Sequence, residues 1–213
     1  MSSCCGPGGY EGVFGPRLAR HLAARYRRSG PDRTTRRLLS FLESRGIEGA
    51  GVLEIGGGVG EVQLELLRRG AARTTNLELV DSYEAEAAAL AAAAGTSGRT
   101  DRRRLDIAAD PGAVGPHDVV VLHRVVCCYP DHERLLAAAA DHAQRLLVLS
   151  FPPRTPAVRA SLAVLNAFYR VSGRSFRNYA HPPEAMLAVL REHGLRPVYA
   201  HRGRFWRVVG LVR

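Results

Sequence analysis

A run of closely spaced glycines between two patterned segments is the feature of this sequence with the clearest chemistry. The loop glycines are Gly56, Gly57, Gly58 and Gly60. They follow an apolar stretch at residues 51–55 and open a helical pattern at residues 60–69. Glycine lets the backbone turn sharply and approach a ligand closely, and a loop that joins a strand to a helix is a common nucleotide-binding context. The spacing therefore predicts a nucleotide-binding loop.

Two acidic residues at this loop indicate which nucleotide fits. Dinucleotide-binding loops place a third small residue where this chain has Glu61, and Glu54 immediately precedes the glycines. Carboxylates beside the loop oppose a pyrophosphate, but they suit a ligand that carries a cation and no phosphate. S-adenosyl-L-methionine has a sulfonium and an ammonium group. We therefore predict it as the cofactor, with a nicotinamide dinucleotide as the disfavoured alternative.

The elements that must position this loop alternate between strand and helix. Strands are predicted at residues 51–55, 74–80, 103–107, 118–123, 145–150, 198–200 and 205–212. Helices are predicted at residues 17–45 (two helices, broken at 29–31), 60–69, 82–94, 133–144 and 183–193. Continuous apolar strands between helices indicate a parallel sheet covered on both faces. We predict an α/β, Rossmann-like, mostly parallel seven-stranded sheet with a terminal antiparallel hairpin, N-terminal helices and a small lid insert.

This pattern is expected to form a single domain over residues 1–213. Its predicted parts are a loose leader (1–16), N-terminal helices (17–45), a nucleotide-binding core (51–151), a lid over the acceptor (152–182), and the last helix with the terminal hairpin (183–213).

The E-x-G-x-G-x-G pattern at residues 54–60 resembles the first motif of class I S-adenosylmethionine-dependent methyltransferases. The resemblance implies that Glu78, at the end of the second strand, binds the ribose hydroxyls. It also implies that Asp106, after the third strand, reaches the adenine amino group. Asp81 remains the alternative ribose ligand, and Asp106 could instead cap a helix.

A narrower resemblance involves residues 122–131 (LHRVVCCYPD), 150–153 (SFPP) and 181–183 (HPP), which are similar to the magnesium-protoporphyrin O-methyltransferase group. Tyr26, in the N-terminal helices, belongs to the same resemblance. That group carries histidine immediately before Tyr-Pro, where this chain has Cys128. The resemblance implies an enzyme that methylates an oxygen of a small-molecule acceptor, and it leaves the tetrapyrrole substrate open. A nucleic-acid methyltransferase and a non-catalytic binding module that retains the fold are the alternatives.

The catalytic candidates depend on the acceptor. A carboxylate is already ionised at neutral pH, whereas a phenol needs a general base. His123, at a strand end where ligands gather, and His181 are the candidate bases, and His123 is also a candidate cofactor contact. Tyr129 is predicted to line the site. Structural roles are the alternative for both histidines.

The insert at residues 152–182 mixes aromatic side chains with arginines. Arg177 and Tyr179 are predicted, together with Tyr26, to contact the acceptor, because arginine pairs with carboxylates and stacks on rings. The alternative is an amphipathic helix with core aromatics and solvated arginines.

The amino-acid composition limits the classes of partner that we expect for this protein. The formal net charge is +10, but all 30 basic residues are arginine and they are scattered, which argues against a nucleic-acid tail. No apolar run reaches the length of a membrane span, and the N-terminus lacks a secretory pattern, so we expect a cytoplasmic protein.

The cysteines form the pairs Cys4-Cys5 and Cys127-Cys128, which predicts reduced thiols and no metal site, with a four-thiolate site as the alternative. The oligomeric state does not follow from the sequence.

Overall fold

Seven strands form one mixed sheet in a computed structural model that describes residues 9–213. The strands are β1 (Gly51–Ile55), β2 (Arg73–Glu78), β3 (Thr100–Arg104), β4 (His117–His123), β5 (Ala143–Phe151), β6 (Arg196–Arg202) and β7 (Arg207–Val212). Their order is β3-β2-β1-β4-β5-β7-β6. Strands β1 to β5 are parallel, and β7 is antiparallel to both β5 and β6. The predicted sheet and its terminal antiparallel hairpin are confirmed.

Helices cover both faces of this sheet. They are α1 (Pro16–Ser29), α2 (Arg33–Ser44), α3 (Glu61–Arg68), α4 (Glu84–Ala93), α5 (His132–His142), α6 (Pro156–Val171) and α7 (Pro183–Glu192). The predicted break between the first two is confirmed, and its cause is local. Gly30 ends α1 with a φ of 64°, and the Asp32 carboxylate accepts the backbone N–H groups of Thr34 and Thr35 to start α2.

Strand β4 shows why both faces need helices. Its buried residues alternate, so that Val119 and Val121 pack with α2 and α3, whereas Val120 and Leu122 pack with α5 and α7. A strand with both faces buried gives a continuous apolar run rather than a polar–apolar alternation. The resulting two-sided core fixes the carboxyl ends of β1, β2 and β4 beside one another.

The third strand differs from its predicted position. It covers Thr100–Arg104 rather than residues 103–107, and most of its side chains are solvent-exposed or half-buried. It lies at the edge of the sheet, where charged side chains are tolerated and a strand needs no apolar signal. Asp106 consequently lies in the loop two residues beyond the strand.

The leader also differs from its prediction over the part that is described. Residues 1–8, including Cys4-Cys5, lie outside the described residues. Tyr10 and Phe14, however, are packed: the hydroxyl of Tyr10 donates to the backbone oxygen of Cys128 at 2.6 Å, and both rings contact Phe176. Residues 10–14 are therefore part of the folded domain.

Within residues 9–213, no helix combines the length and the hydropathy needed to cross a bilayer.

Candidate functional site

The glycine loop adopts the backbone conformations that its sequence predicts. Gly56, Gly58 and Gly60 have φ values of 68°, 56° and 81°, in the left-handed region that favours glycine. Gly57 has an ordinary φ but no room for a side chain, since a Cβ there would overlap Asn76 Oδ1 and Glu54 Oε2. The loop turns away from β1 and starts α3 at Glu61.

A cavity opens at the carboxyl ends of β1, β2 and β4, next to this loop. It is lined by Tyr10, Phe14, Ile55, Gly56, Gly58, Leu77, Glu78, Leu79, Val80, Tyr83, Leu105, Asp106, Ile107, Arg124, Val125, Cys128, Tyr129 and Leu135. Most of these side chains are apolar or aromatic, and two carboxylates and one guanidinium supply the charge. An apolar cleft with a few polar groups at strand ends is the usual site for a small ligand in this fold class.

Glu78 joins the loop to the cavity wall. Its Oε1 accepts the backbone N–H of Gly58 at 2.5 Å, and its Oε2 accepts the N–H of Leu79 at 3.2 Å. Burial raises the pKa of this carboxyl, against the opposing effect of the Gly58 N–H and the charge of Arg102. By contrast, the alternative Asp81 is exposed and pairs with Arg104 outside the cavity.

Asp106 and Tyr129 form another part of the cavity wall. The Tyr129 hydroxyl donates to Asp106 Oδ2 at 2.9 Å, and Asp106 Oδ1 also accepts the N–H of Ala108 at 3.0 Å. Burial, reinforced by the hydrogen bond to Asp106, raises the pKa of Tyr129 above its usual value. Tyr129 therefore remains a hydrogen-bond donor that orients the carboxylate.

Glu54 lies beneath the loop rather than in the cavity. Its side chain is 1% exposed, and among the described residues its Oε2 has no hydrogen-bond partner. Burial raises the pKa of Glu54 to about 8, and the nearby carboxylates of Glu61 and Glu78 act in the same direction against Arg102. An acid in this position meets a ligand only across the thin backbone of Gly57.

His123 and Arg124, at the end of β4, point in different directions. His123 is outside the cavity lining; its Nδ1 lies 2.9 Å from the hydroxyl of Ser150 and its Nε2 lies 3.2 Å from that of Thr35. Burial and the adjacent Arg124 lower the pKa of His123 to about 3. Both ring nitrogens are engaged in a polar cluster, so we do not retain His123 as a general base or a direct cofactor contact.

Arg124 lines the cavity in its place. It has a φ of 63°, its Nη2 lies 2.5 Å from Asp32 Oδ2, and its guanidinium stacks 5.0 Å from the ring centre of Trp206. A non-glycine residue in the left-handed region is uncommon. The ion pair with Asp32 and the stacking on Trp206 stabilise Arg124 in this conformation.

The other predicted catalytic and acceptor residues outside the cavity lining are Tyr26, His181, Arg177 and Tyr179. Tyr26 is buried between α1 and α3, where its hydroxyl donates to Glu65 and accepts from Arg68. His181 Nε2 lies 2.9 Å from the backbone oxygen of Tyr129, and its ring stacks on Tyr179 at 5.3 Å. We retain Tyr26 and His181 as structural residues only.

Arg177 is solvent-exposed, whereas the backbone N–H of Tyr179 donates to Cys127 at 2.7 Å. The insert is therefore anchored next to the site through its end near Tyr179. Cys127 is buried and Cys128 lines the cavity, with their sulfur atoms 3.8 Å apart.

Sequence reasoning missed several residues that line the cavity. Tyr10 and Phe14 lie in the predicted leader, although their spacing of four residues is typical of one face of a helical turn. Tyr83 and Arg124 had no signal of their own, because nothing in the sequence indicates that these side chains converge.

Comparisons with known proteins identify the fold. No protein-family model matches the chain, and no curated protein matches it. Several solved structures do match the chain. Magnesium protoporphyrin IX methyltransferase from Synechocystis PCC 6803, with S-adenosylhomocysteine bound, superposes with a TM-score of 0.73 at 20% identity and covers 95% of this chain and 99% of its own.

Two larger proteins match a similar share of this chain. An O-methyltransferase family protein from Burkholderia thailandensis gives a TM-score of 0.74 at 17% identity, over 96% of this chain and 62% of its own. An O-methyltransferase family 2 protein from Planctomyces limnophilus, in complex with apigenin, gives 0.70 at 18% identity, over 94% and 62%. The chain therefore has the fold of S-adenosylmethionine-dependent methyltransferases.

Proposed function

We propose that this protein is an S-adenosylmethionine-dependent methyltransferase that methylates an oxygen of a small-molecule acceptor. The observation that carries the proposal is Glu78, buried at the cavity wall and hydrogen-bonded to the N–H of Gly58 in the glycine loop. This places a carboxylate where a nucleoside would lie, beside a loop with no phosphate-binding cation of its own. Neighbours with the same fold that were crystallised with the methyl donor or its product support the proposal.

The cavity fits the three parts of this donor. Glu78 presents carboxylate oxygens to the ribose hydroxyls, and Asp106, oriented by Tyr129, presents an acceptor to the adenine amino group. The rings of Tyr10, Phe14 and Tyr83 supply apolar surface for a nucleoside. At the loop, Gly56 and Gly58 expose backbone to the methionine end. Glu54 beneath them is protonated at neutral pH in the free protein, and a nearby ammonium group would favour its ionisation.

The donor, when bound, supplies an electrophilic methyl group on a sulfonium. This chain contributes mainly orientation of the acceptor and exclusion of water, which are large terms when two reactants must meet in line. A general base matters only if the acceptor is protonated at neutral pH. His123 and His181 lie outside the cavity lining, so the arrangement favours a carboxylate, which needs no base, over a phenol.

The insert is proposed to cover the acceptor. Tyr179 is tied to Cys127, and Phe176 packs against Tyr10 and Phe14 at ring-centre distances of 5.5 and 5.2 Å. Arg177, between these anchored residues, is solvent-exposed and free to pair with a carboxylate that enters from outside. Under this proposal, Arg177→Ala raises the KM for the acceptor and leaves donor affinity unchanged.

Nucleic acid is disfavoured as the acceptor because Arg124, the only arginine among the described residues that line the cavity, is already paired with Asp32. Arginines paired with a carboxylate are Arg25, Arg27, Arg68, Arg69, Arg102, Arg103, Arg104 and Arg124. A protein that binds phosphates needs free cations on one face.

Two measurements test the proposed function. S-adenosylhomocysteine should raise the melting temperature through mass-action linkage, whereas NADH should not. Extract incubated with the protein and an isotopically labelled methyl donor should yield a labelled small molecule by mass spectrometry, and Glu78→Ala should reduce that label at limiting donor concentration. A shift with NADH alone would refute the cofactor assignment. A shift with S-adenosylhomocysteine but no labelled product would favour the non-catalytic binding module.

A further inference from the structure

Helix α6, in the insert, carries an apolar face that nothing in the described part of the chain covers. None of its residues is buried, and Val164, Phe168 and Val171 are 72%, 58% and 88% exposed. Three or four residues separate neighbours in this row, so the side chains lie along one side of the helix. Soluble surfaces seldom carry aligned exposed apolar residues without a partner.

The opposite side of α6 is the one that holds the helix to the domain. Asn166 exchanges two hydrogen bonds of 2.8 Å with the backbone of Asn178, and Tyr169 packs on Phe176 at 5.5 Å. At 100° per residue, Asn166 lies about 140° from Val171 and about 160° from Phe168, whereas Phe168 and Val171 are about 60° apart. The rotation of the helix is therefore fixed by contacts that direct Phe168 and Val171 away from the protein.

Charge identifies what this face suits. Residues 152–182 contain five arginines and neither aspartate nor glutamate. The arginines are Arg154, Arg159, Arg170, Arg174 and Arg177. Arg154 precedes α6 and Arg159 lies in its first turn, whereas Arg170 lies in its last turn and Arg174 and Arg177 follow it. Both ends of the apolar face are therefore basic. An apolar helix face with arginines at its ends is typical of helices that lie in the plane of an anionic membrane surface.

A second copy of this chain would be a poor occupant. Pairing two such faces would bring the arginines of one segment against those of the other with no carboxylate in either segment to compensate, and like charges across an interface are unfavourable. A bilayer with anionic headgroups complements both the apolar row and the arginines.

We propose that α6 docks this protein on an anionic membrane surface, with Val164, Phe168 and Val171 in the headgroup–acyl boundary. The docked helix is close to the cavity: Tyr169 contacts Phe176, and Phe176 contacts Tyr10 and Phe14 in the cavity wall. The proposal concerns attachment alone and does not depend on methyl transfer.

Vesicle sedimentation tests the proposal. The full-length protein is mixed with vesicles of phosphatidylcholine alone or with about one-third phosphatidylglycerol, at low and high salt. We expect sedimentation with the anionic vesicles at low salt, and a bound fraction at least fivefold lower with neutral vesicles or at high salt. Phe168→Ser/Val171→Ser should weaken binding to anionic vesicles by at least tenfold, since burial of two apolar side chains is lost.

Val198→Ser is the matched control, because Val198 is 44% exposed on the edge strand β6 and should not affect sedimentation. Serine has a helix propensity close to those of valine and phenylalanine, so α6 should persist in the double variant, which circular dichroism verifies. A wild-type protein that stays in solution with anionic vesicles overturns the proposal, as does a double variant that sediments like the wild type. A dimer that the double variant dissociates, without vesicle binding, would assign the face to a second copy.

The thermal shift with S-adenosylhomocysteine is measured on the same proteins. Vesicle binding without that shift would leave the docking surface standing and remove the proposed function. A thermal shift without vesicle binding would leave the proposed function standing and remove the docking surface.

Discussion

Replacing the buried Glu54 by glutamine tests how the acid beneath the glycine loop is held. Burial raises the pKa of Glu54 to about 8 in the folded protein, from an ordinary value of 4.5. The folded state therefore keeps a proton that the unfolded chain releases above pH 4.5. Stability associated with this proton is fully present below pH 4.5 and is lost as the pH rises through 8.

The size of the effect follows from these two values. At about 1.4 kcal/mol for each pH unit, the wild type loses about 1 kcal/mol by pH 5, about 3 kcal/mol by pH 7 and nearly 5 kcal/mol above pH 8. Glutamine mimics the protonated carboxyl and has no proton to lose. Glu54→Gln should therefore be more stable than the wild type at pH 7, by roughly 6–12 °C in Tm for a chain of this length.

Urea unfolding at pH 5, 7 and 9 measures the difference. Glu65→Gln is the control of opposite sign. Although burial acts in the other direction, hydrogen bonds from Arg69 and Tyr26 hold the pKa of Glu65 below its usual value. Its replacement should lower stability at neutral pH, and its cost should shrink as the pH falls. A difference between wild type and Glu54→Gln that does not change with pH would refute the reasoning, because Glu54 would then be ionised in the folded protein.

Three further substitutions test the cavity. Gly58→Ala and its control Gly95→Ala impose the same strain, because both glycines have a positive φ and open space around a Cβ, and each variant should lose about 1 kcal/mol of stability. Only Gly58→Ala should weaken S-adenosylhomocysteine binding, measured by calorimetry. If both variants bind with the same affinity, the loop does not belong to the site. Glu78→Ala should lower donor affinity about ten- to a hundredfold, as expected for lost hydrogen bonds to a charged group, whereas Asp81→Ala should not; the opposite pattern would exchange their roles. Tyr129→Phe should lower donor affinity about tenfold by freeing the Asp106 carboxylate, and an unchanged affinity would separate Asp106 from the donor.

The glycine loop and its setting could be predicted because they are local. The conformations of Gly56, Gly58 and Gly60 depend on a few adjacent residues, and the strand before them and the helix after them each have a clear apolar pattern. The buried strands of the sheet were predicted within a few residues for the same reason. Burial on both faces requires a continuous apolar segment, which β4 provides.

Edge strands and long-range contacts required the tertiary structure. Strand β3 has no apolar pattern, because none of its side chains is buried, so its position depends on pairing with β2. The contact between Tyr10 and Cys128 joins residues that are 118 apart in sequence. No local propensity encodes such a contact, and residues 10–14 were consequently assigned to a loose leader.

The direction of a side chain was also decided only by packing. His123 and Arg124 are adjacent at the end of β4, and the sequence pointed to the histidine. His123 is the last residue of β4, whereas Arg124 lies beyond the strand with a φ of 63°, so the strand pattern does not determine where the Arg124 side chain points. Ser150 on β5 and Thr35 on α2 hold His123 in the interior, while Asp32 and Trp206 hold Arg124 at the cavity wall. The sequence determined which residue types meet at this end of the sheet, and the packing of α2 and β5 against β4 determined which of them a ligand can reach.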